Sequence, residues 1–222
     1  MDTKGHCFPE SIIIQAVYLK LRFTLSYRDV EEIMRIKGVE VDRATIQRWI
    51  YKFMPEIEIQ MRRRKKVVGM RWRMDETYIK VKGEWRYLYR AVDKDGHTID
   101  FLLTKRRQRK SAQSFLIKAI ENNGTPELIN IDKSGSNKSA IKLYNKRTFT
   151  DIGIRQCKYL NNIVEQDHRF IKWRIQQGLG FKDFESARRS LTGIEIVHML
   201  KKNQQNTQEY VCSNVNQCIL ES

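Results

Sequence analysis

Three neighbouring segments decide the fold: VVGMRWRMDETYIKV (residues 67–81), EWRYLYRAVD (residues 84–93) and HTIDFLLTK (residues 97–105). Each is rich in β-branched and aromatic residues that alternate with charged ones, which is typical of β-strands. Lys82-Gly83 and Asp95-Gly96 lie between the segments, and a polar residue followed by glycine favours a tight hairpin turn. The pattern therefore predicts three consecutive antiparallel strands.

Helices and strands alternate after these three strands. SAQSFLIKAIEN (111–122) has the period of an amphipathic helix, ELINID (127–132) is a short apolar strand, and residues 139–146 favour a second helix. A strand IRQCKYL (154–160) and a helix that begins near Asn161 follow. The order βββ, α, β, α, β, α predicts an α/β fold with a mixed five-stranded sheet flanked by helices, which is the RNase H-like architecture. A last helix, at about 183–202, is expected to close it.

Three acidic residues occupy positions suited to metal binding in such a sheet. Asp75 lies in the middle of the first strand, Asp132 lies where the fourth strand ends, and Glu165 lies on the helix after the fifth. Transfer of a phosphoryl group on DNA is served by two divalent ions, and hard carboxylate oxygens are their ligands. A single buried aspartate more often has a structural role, but three acids in this order favour a site for two ions, Mg2+ or Mn2+.

Basic residues share the helix that carries Glu165. His168, Arg169 and Lys172 follow it by three, four and seven residues, so they should lie on the same face of the helix. That face would present a metal ligand together with cations for DNA. An ordinary salt-bridged helix surface is the alternative. Glu76 should point to the face of its strand opposite Asp75, and Asp167 should face solvent.

Residues 10–54 are expected to form three helices ahead of the sheet. Ser26 and Asp29 match a capping box, Gly38 is suited to a helix stop, and Asp42 can cap a further helix, which Pro55 should end. Two short helices around a turn match a helix-turn-helix, although a plain helical hairpin has the same pattern. In the helix-turn-helix interpretation, four outward side chains are available for DNA: Arg43, Thr45, Gln47 and Arg48.

The charge of the chain favours a polyanionic partner. Forty-two lysines and arginines against 26 acidic residues give a net charge of +16, and nucleic acid is the first candidate. MRRRKK (61–66) and KRRQRK (105–110) are dense basic runs, for which a solvated surface is the default interpretation and phosphate contact the functional one. The expected phosphate contacts in these runs are Arg62, Arg63, Arg64, Lys65, Lys66, Lys105, Arg106 and Arg107.

The cysteines and the apolar stretches point to an ordinary intracellular protein. The four cysteines are scattered and form no C-x2-C pair, so we expect free thiols rather than disulfides or zinc. No stretch approaches the roughly 20 apolar residues that span a bilayer, and the N-terminus lacks the pattern of a secretory signal. We therefore expect a cytoplasmic protein without a membrane partner.

These observations divide the chain into four parts. We expect a helix-turn-helix domain at 1–60, a basic linker at 61–66, the catalytic domain at 67–202 and a polar tail, disordered, at 203–222.

The sequence resembles the transposases of the IS6 family of bacterial insertion sequences, which belong to the wider DDE group. The motifs that carry the resemblance are SYRDVEE, DRATIQRWI, WRMDETYIKVKGEWRYLYRAVDKDGHTIDF, NIDKSGSN, KYLNNIVEQDHRFIKWR and GFKDFESARRSLTGIEIVHML. The resemblance implies that Asp75, Asp132 and Glu165 form the catalytic triad and that Lys172 is the basic residue completing it. It also implies cleavage at the ends of the element, attack of the freed 3′-hydroxyl on target DNA, and often a cointegrate product.

Partners follow from the same resemblance. Terminal inverted repeats and target DNA would be the substrates, and a homo-oligomer, most simply a dimer, would hold two ends together on DNA in a bacterial, nucleoid-associated setting. Two other functions stay open: a DNA-binding regulator in which the acidic residues are dispensable, and a nuclease of the same fold that hydrolyses a strand without joining it. A DNA reader ahead of a basic linker favours recognition of specific ends, and hence transposition.

Overall fold

The computed structural model describes residues 7–23, 25–133, 135–157, 159–177 and 181–206. The chain divides into two compact units, one of residues 1–66 with 176–222, and one of residues 67–175. The helical unit contains α1 (Glu10–Arg22), α2 (Tyr27–Ile36), α3 (Arg43–Arg64) and α7 (Phe184–Lys201). The α/β unit contains β1 (Arg71–Val81), β2 (Glu84–Asp93), β3 (Thr98–Thr104), α4 (Arg109–Asn123), β4 (Leu128–Ile131), α5 (Gly135–Thr148), β5 (Gly153–Gln156), a 3-10 turn (Tyr159–Asn161) and most of α6 (Asn162–Gln177).

The α/β unit is built on a mixed five-stranded sheet in the order β3-β2-β1-β4-β5. β1, β2 and β3 pair antiparallel, whereas β4 is parallel to both β1 and β5. Lys82 and Gly83 both have positive φ, 51° and 79°, as a two-residue hairpin turn requires. The predicted mixed sheet flanked by helices is therefore confirmed, with the three opening strands where the sequence places them.

One face of this sheet packs on α4 and α5. Met74 of β1 and Tyr89 of β2 lie on this face of the sheet. They form a core with Phe115 of α4 and Ile141 of α5. The ring centroids of Tyr89 and Phe115 lie 6.0 Å apart in a stacked arrangement. Because successive side chains in a strand alternate, Asp75 faces the other side of the sheet.

The helical unit begins with the capping signals that the sequence predicts. Ser26 and Asp29 form a complete capping box on α2, and the Asp42 carboxylate accepts hydrogen bonds from the first turn of α3. Gly38 has φ 77°, the left-handed conformation expected after α2. These contacts place α2 and α3 around a short turn, and both helices bury their apolar faces against α1.

The prediction that Pro55 ends the third helix is wrong. α3 continues to Arg64 with Pro55 inside it. Proline costs an interior helix a hydrogen bond and a steric clash, but Met61 beyond it is buried against Ile196 and Met199 of α7. Burial of that second apolar stretch keeps the helix intact past the proline.

The basic run 61–66 is consequently not an extended linker. Residues 61–64 form the last turn of α3, Arg62 pairs with Glu58 one turn earlier at 2.7 Å, and Lys65 forms an isolated β-bridge with Gln205. The first residues of the tail, which we expected to be disordered, are ordered. Gln204 is buried, and its carbonyl accepts a hydrogen bond from the Lys66 backbone N–H. The rest of that tail, from residue 207, lies outside the described residues.

The last helix, α7, packs differently from our expectation that it closes the catalytic domain at residue 202. Val197 belongs to the core formed by α1, α2 and α3, and the Arg189 guanidinium donates to the Tyr51 carbonyl at 2.9 Å. A Cβ at Gly193 would lie 2.5 Å from the Leu21 side chain, so glycine is what allows α7 to approach α1 this closely. The helix therefore belongs by its packing to the helical unit. Among the described helices, none has the length and apolar character to cross a membrane.

Candidate active site

Asp75 and Asp132 come from neighbouring parallel strands. β1 and β4 pair with Arg73 opposite Asn130, and extending that register by two residues places Asp132 beside Asp75. Both aspartates are partly buried. The first two acidic residues of the predicted trio therefore meet where β4 ends.

The beginning of α6 is held against β4 by two buried asparagines. The Asn130 side-chain amide donates to Asn161 Oδ1 at 2.6 Å and to the Cys157 carbonyl at 3.1 Å. Asn161 lies in the 3-10 turn directly before α6, and Glu165 follows one helical turn later. This contact brings the helix of the third acid to the strand that ends at Asp132.

A buried ion pair holds the next part of α6 on the sheet. Arg90 is opposite Asp75 in the β1–β2 ladder, and its guanidinium donates to the Asp167 carboxylate at 3.1 Å. The Arg90 side chain is fully buried and that of Asp167 is 12% exposed. The expectation that Asp167 faces solvent is therefore wrong, because an arginine buried in the sheet requires a counter-charge.

His168 is the third contact between α6 and the sheet. Its Nδ1 lies 3.7 Å from the Asp75 carboxylate, and the ring is buried. Burial, together with the positive charges of Arg90 and Lys172, lowers the pKa of His168 to about 3. The imidazole is consequently neutral at physiological pH and does not offset the charge of Asp75.

The pKa of Asp75 reflects the proximity of the other two acids. The pKa of Asp75 is raised to about 7, mainly by burial; a backbone hydrogen bond from Glu76 lowers it, and the negative charges of Glu76, Asp132 and Glu165 add to the rise. Asp132 and Glu165 are thus close enough to act on Asp75. A divalent cation would relieve this repulsion, so the carboxylate donors present fit Mg2+ or a similar hard ion.

The outer part of α6 agrees with the helical spacing only in part, because His168, expected on the same face, is buried against the sheet. Glu165, Arg169 and Lys172 are all exposed, and Lys172 is near enough to influence His168. The helix therefore presents one acid and two cations to solvent while Asp167 and His168 attach it to the sheet.

Glu76 lies on the opposite face from Asp75, as expected, and has a structural environment there. Its buried carboxylate pairs with Arg107 and accepts a hydrogen bond from the Asn137 amide at 2.8 Å. Arg107, one of the expected phosphate contacts, is therefore partly engaged within the protein. Lys105 and Arg106 before it are exposed.

A second acidic cluster lies at the β2–β3 turn. Among the described residues, the one set of three possible ligand side chains within 4.8 Å of each other is Asp93, Asp95 and His97. The buried Asp93 carboxylate already accepts hydrogen bonds from the backbone N–H groups of Gly69, Asp95 and His97, at 2.9–3.1 Å. Those bonds explain the cluster as a turn cap. Asp75, Asp132 and Glu165 are spaced more widely, which is compatible with two ions roughly 3.5–4 Å apart.

The proposed DNA-reading side chains of α3 are largely accessible. Arg43, Gln47 and Arg48 are exposed and Thr45 is half-buried. Thr45 donates to the Asp42 carboxylate at 2.8 Å and accepts from the Arg48 guanidinium at 2.9 Å. This chain of contacts orders the first turn of α3, whereas Gln47 is exposed and takes part in none of these contacts.

Comparison with known proteins identifies the relatives of the chain. A family model described as a DDE domain of the IS240 type matches residues 69–204, and a model of the IS66 transposase family matches residues 5–125. The transposase of insertion sequence-like element IS431mec from Staphylococcus aureus is 41% identical over 206 residues, which cover 91% of this chain and 90% of that protein. The transposase of IS257 in transposon Tn4003 from the same species is 40% identical with the same coverage.

Solved structures with a similar chain path include two retroviral integrase cores. The HTLV-2 integrase catalytic core domain in complex with magnesium is 17% identical, with a TM-score of 0.46, covering 59% of this chain and 86% of that one. The BIV integrase catalytic core domain is 16% identical, with a TM-score of 0.45, covering 69% of this chain and 95% of that one. From its family-model match and its full-length relatives, the chain belongs to the IS6 family of DDE transposases.

Proposed function

We propose that this DNA transposase cuts at the ends of its insertion sequence and joins the freed 3′ ends to target DNA, with Asp75, Asp132 and Glu165 as its catalytic carboxylates. The observation that carries the proposal is the placement of the acids, because Asp75 and Asp132 lie on neighbouring parallel strands and the Arg90–Asp167 pair holds the helix of Glu165 on the same face of the sheet. Two of the acids come from adjacent strands, and α6 delivers the third. A cluster of this kind is costly for a protein unless a cation occupies it.

Asp75, Asp132 and Glu165 would together hold two Mg2+ or Mn2+ ions. Such ions activate an attacking oxygen and stabilise a leaving oxygen of the phosphodiester. The residues of the chain would then position the DNA. The Arg90–Asp167 pair and the Asn130–Asn161 contact fix α6 on the sheet.

Cations on α6 are suited to hold the DNA backbone next to these acids. Lys172 lies two turns after Glu165 and is exposed, as is Arg169. Lysine and arginine at such positions neutralise phosphates and orient the duplex without reading its sequence. We assign Lys172 to the phosphate beside the cleaved bond and Arg169 to a neighbouring one.

The helical unit would recognise the terminal inverted repeats. α2 and α3 flank a short turn, as the helices of a helix-turn-helix do, and Arg43, Gln47 and Arg48 at the start of α3 are exposed, which suits a recognition helix. Thr45 is placed for a backbone contact. The basic run at the end of α3, Arg62 to Lys66, and the exposed Lys105 and Arg106 would contribute phosphate contacts.

A homo-oligomer on DNA follows from the reaction itself. Two ends of one element must be joined to the same target, and the simplest assembly that holds two ends is a dimer with two-fold symmetry. Because its substrates are chromosomal and plasmid DNA, the protein would work in the bacterial cytoplasm, in association with the nucleoid.

The experiment is a strand-transfer assay with labelled element-end DNA, a plasmid target and Mg2+. Glu165→Gln keeps the shape of the side chain and removes a ligand charge, so joined product should fall by at least a hundredfold, on the order of the loss for one catalytic group. Glu121→Gln makes the same chemical change at an exposed helix position of the same unit and should leave the product unchanged.

The other two functions give different results in the same assay. Cleavage without joining would indicate a nuclease. Sequence-specific binding without any chemistry, in wild type and variant alike, would indicate a regulator. Equal joining by wild type and Glu165→Gln would remove Glu165 from the catalytic set.

A further inference from the structure

Exposed aromatic side chains lie at the hairpin end of β1 and β2. Tyr78 is 44% exposed and Trp85 is 55% exposed, which is unusual for rings of this size in a sheet. Tyr78 lies opposite Tyr87, and Trp85 lies opposite Lys80, so all four side chains share one face of the hairpin. At Met74 and Tyr89 this face is buried under α4 and α5. At Tyr78 it is exposed to solvent.

The three rings contact one another in a row. The Tyr78 ring centroid is 5.4 Å from that of Tyr87 and 6.3 Å from that of Trp85, and both pairs meet edge to face. Tyr87 is partly buried against the core, so it anchors the other two. The row is therefore a fixed aromatic surface rather than a set of independent side chains.

Two cationic side chains lie beside this surface, and one of them, Arg107, also pairs with Glu76. The Lys80 ammonium lies 5.1 Å from the centroid of the Trp85 ring, and the Arg107 guanidinium lies 3.5 Å from the Tyr78 hydroxyl. Lys105 and Arg106 are exposed in the segment that leads to Arg107. Aromatic rings with interleaved cations are the combination that binds unpaired nucleic acid, because rings stack on bases and cations hold phosphates.

We infer that Tyr78, Trp85, Lys80 and Arg107 form a binding surface for the unpaired bases of a DNA strand. The inference rests on the proposed function, since a strand nicked at the active site can leave its partner and expose its bases. Tyr78 is three residues from Asp75 on β1, a distance of about 10 Å along the strand. The ladder between β1 and β4 ends at Arg73, so Tyr78 lies beyond the part of β1 that β4 pairs with.

A second copy of the chain is a poorer occupant for this surface. In a two-fold dimer the same basic patch of both copies would enter one interface. Like charges brought together in an interface oppose association. DNA has the opposite charge and also supplies flat faces for the rings.

Fluorescence of the full chain tests the inference directly. Of its four tryptophans, Trp49 and Trp72 are buried and Trp85 and Trp173 are exposed. In a Trp173→Phe background, Trp85 is the one exposed tryptophan, and stacking of bases on it should quench its emission. An oligothymidylate of roughly 16 nucleotides is the probe. The expected result is saturable quenching by this strand and much weaker quenching by the same length of blunt duplex.

Affinity measurements then assign the binding to the surface. Trp85→Ala and Tyr78→Ala should each weaken binding of the labelled strand by roughly 5- to 100-fold, the range for loss of one stacked base. Phe149→Ala removes another exposed ring of the same unit and should change nothing. Unchanged thermal unfolding midpoints would show that these variants are folded. If a variant does not fold, the quenching experiment still tests the surface, because it leaves Tyr78 and Trp85 unchanged.

Several results would overturn the inference. They are the absence of single-strand binding by wild type, equal binding by Trp85→Ala, or a change of oligomer mass in Trp85→Ala with single-strand affinity intact. Failure of the proposed function is separate from these, because it is measured as loss of end joining by wild type on duplex substrates. If the wild type joins no DNA ends but its fluorescence is still quenched through Trp85, the single-strand binding surface is supported and the transposition mechanism is rejected.

Discussion

The Arg90 guanidinium and the Asp167 carboxylate form a buried ion pair of 3.1 Å that connects the second strand of the sheet to the helix carrying Glu165. Arg90 stands opposite Asp75 across the β1–β2 ladder, and Asp167 is two residues after Glu165. One contact therefore links the helix of Glu165 to β2, the strand that pairs with the strand of Asp75. Removal of one member takes away a counter-charge from the buried site, and loss of one partner of a buried ion pair costs about 3–5 kcal/mol.

Asp167→Ala should lower the free energy of unfolding by about 3 kcal/mol and reduce strand transfer, because α6 loses its main charged attachment to the sheet. Chemical denaturation and the end-joining assay measure the two effects. Gln166→Ala changes the exposed neighbour on the same helix and is the matched control, with no expected effect on either.

The double variant Arg90→Met with Asp167→Leu tests whether the loss of stability in Asp167→Ala comes from an unbalanced buried charge. It removes both charges and should recover most of the lost stability. A stability of Asp167→Ala equal to that of wild type would show that the pair does not hold α6.

Asp93, at the β2–β3 turn, makes a pH-dependent contribution to the stability of the folded protein. Burial alone would raise the pKa of its carboxylate, but the backbone N–H groups of Gly69 and His97, and the His97 ring, outweigh burial and lower the pKa below its ordinary value. The folded protein thus binds the proton of Asp93 more weakly than the unfolded chain does. The stability from this carboxylate is fully present above about pH 4, the unfolded pKa, and is lost as the pH falls through the lower folded pKa.

Asp93→Asn should therefore be less stable than wild type by about 1–3 kcal/mol at pH 7, since hydrogen bonds to a charged acceptor are lost. The difference in free energy of unfolding between the two proteins should shrink as the pH is lowered to about 3. Asp95→Asn, at an exposed position of the same turn, is the control. A difference that stays constant from pH 7 to pH 3 would contradict the role of the carboxylate charge.

The sheet and the helix caps were predictable because their signals are local. The turns at Lys82-Gly83 and Asp95-Gly96, the Ser26–Asp29 capping box and the Asp42 cap each need only a few adjacent residues, and the structure has all of them. The acidic trio was a prediction from topological order. Asp75, Asp132 and Glu165 lie in that order on the observed elements.

The remaining features depend on contacts between residues far apart in sequence. Pro55 stays inside α3 because Met61 is buried against α7, and no local pattern reports that packing. The helix angle alone predicts that Asp167 faces solvent, because its partner Arg90 is 77 residues earlier in the chain. An arginine among apolar neighbours in EWRYLYRAVD was the available signal that a buried counter-charge exists elsewhere.

Lys172 should make a phosphate contact and no base contact. Lys172→Met is expected to weaken binding of element-end DNA uniformly across sequences and to reduce the salt dependence of binding by about one phosphate equivalent. Titration of binding against salt concentration, with anisotropy as the readout, measures this slope. Lys142→Met removes an exposed lysine of α5 and should leave the slope as it is. A sequence-dependent loss in Lys172→Met would assign the residue to a base instead.

Gln47 is the side chain of α3 best placed to read a base. It is exposed on the first turns of the helix, whereas Thr45 and Arg48 are occupied with each other and with Asp42. Glutamine suits adenine through a bidentate contact in the major groove. Gln47→Ala should therefore reduce discrimination between the terminal repeat and a repeat with one altered base pair by about 1–3 kcal/mol, while non-specific binding persists.

The measurement for Gln47→Ala is a competition series in which each base pair of the repeat is changed in turn. Loss of discrimination should be confined to one position, because a single side chain reaches one base pair or two. Lys52→Ala, one turn further along α3, should weaken binding equally at all positions if it touches DNA at all. A loss spread over every position in Gln47→Ala would mean that the helix contacts the backbone alone, and the recognition surface would then lie outside α3.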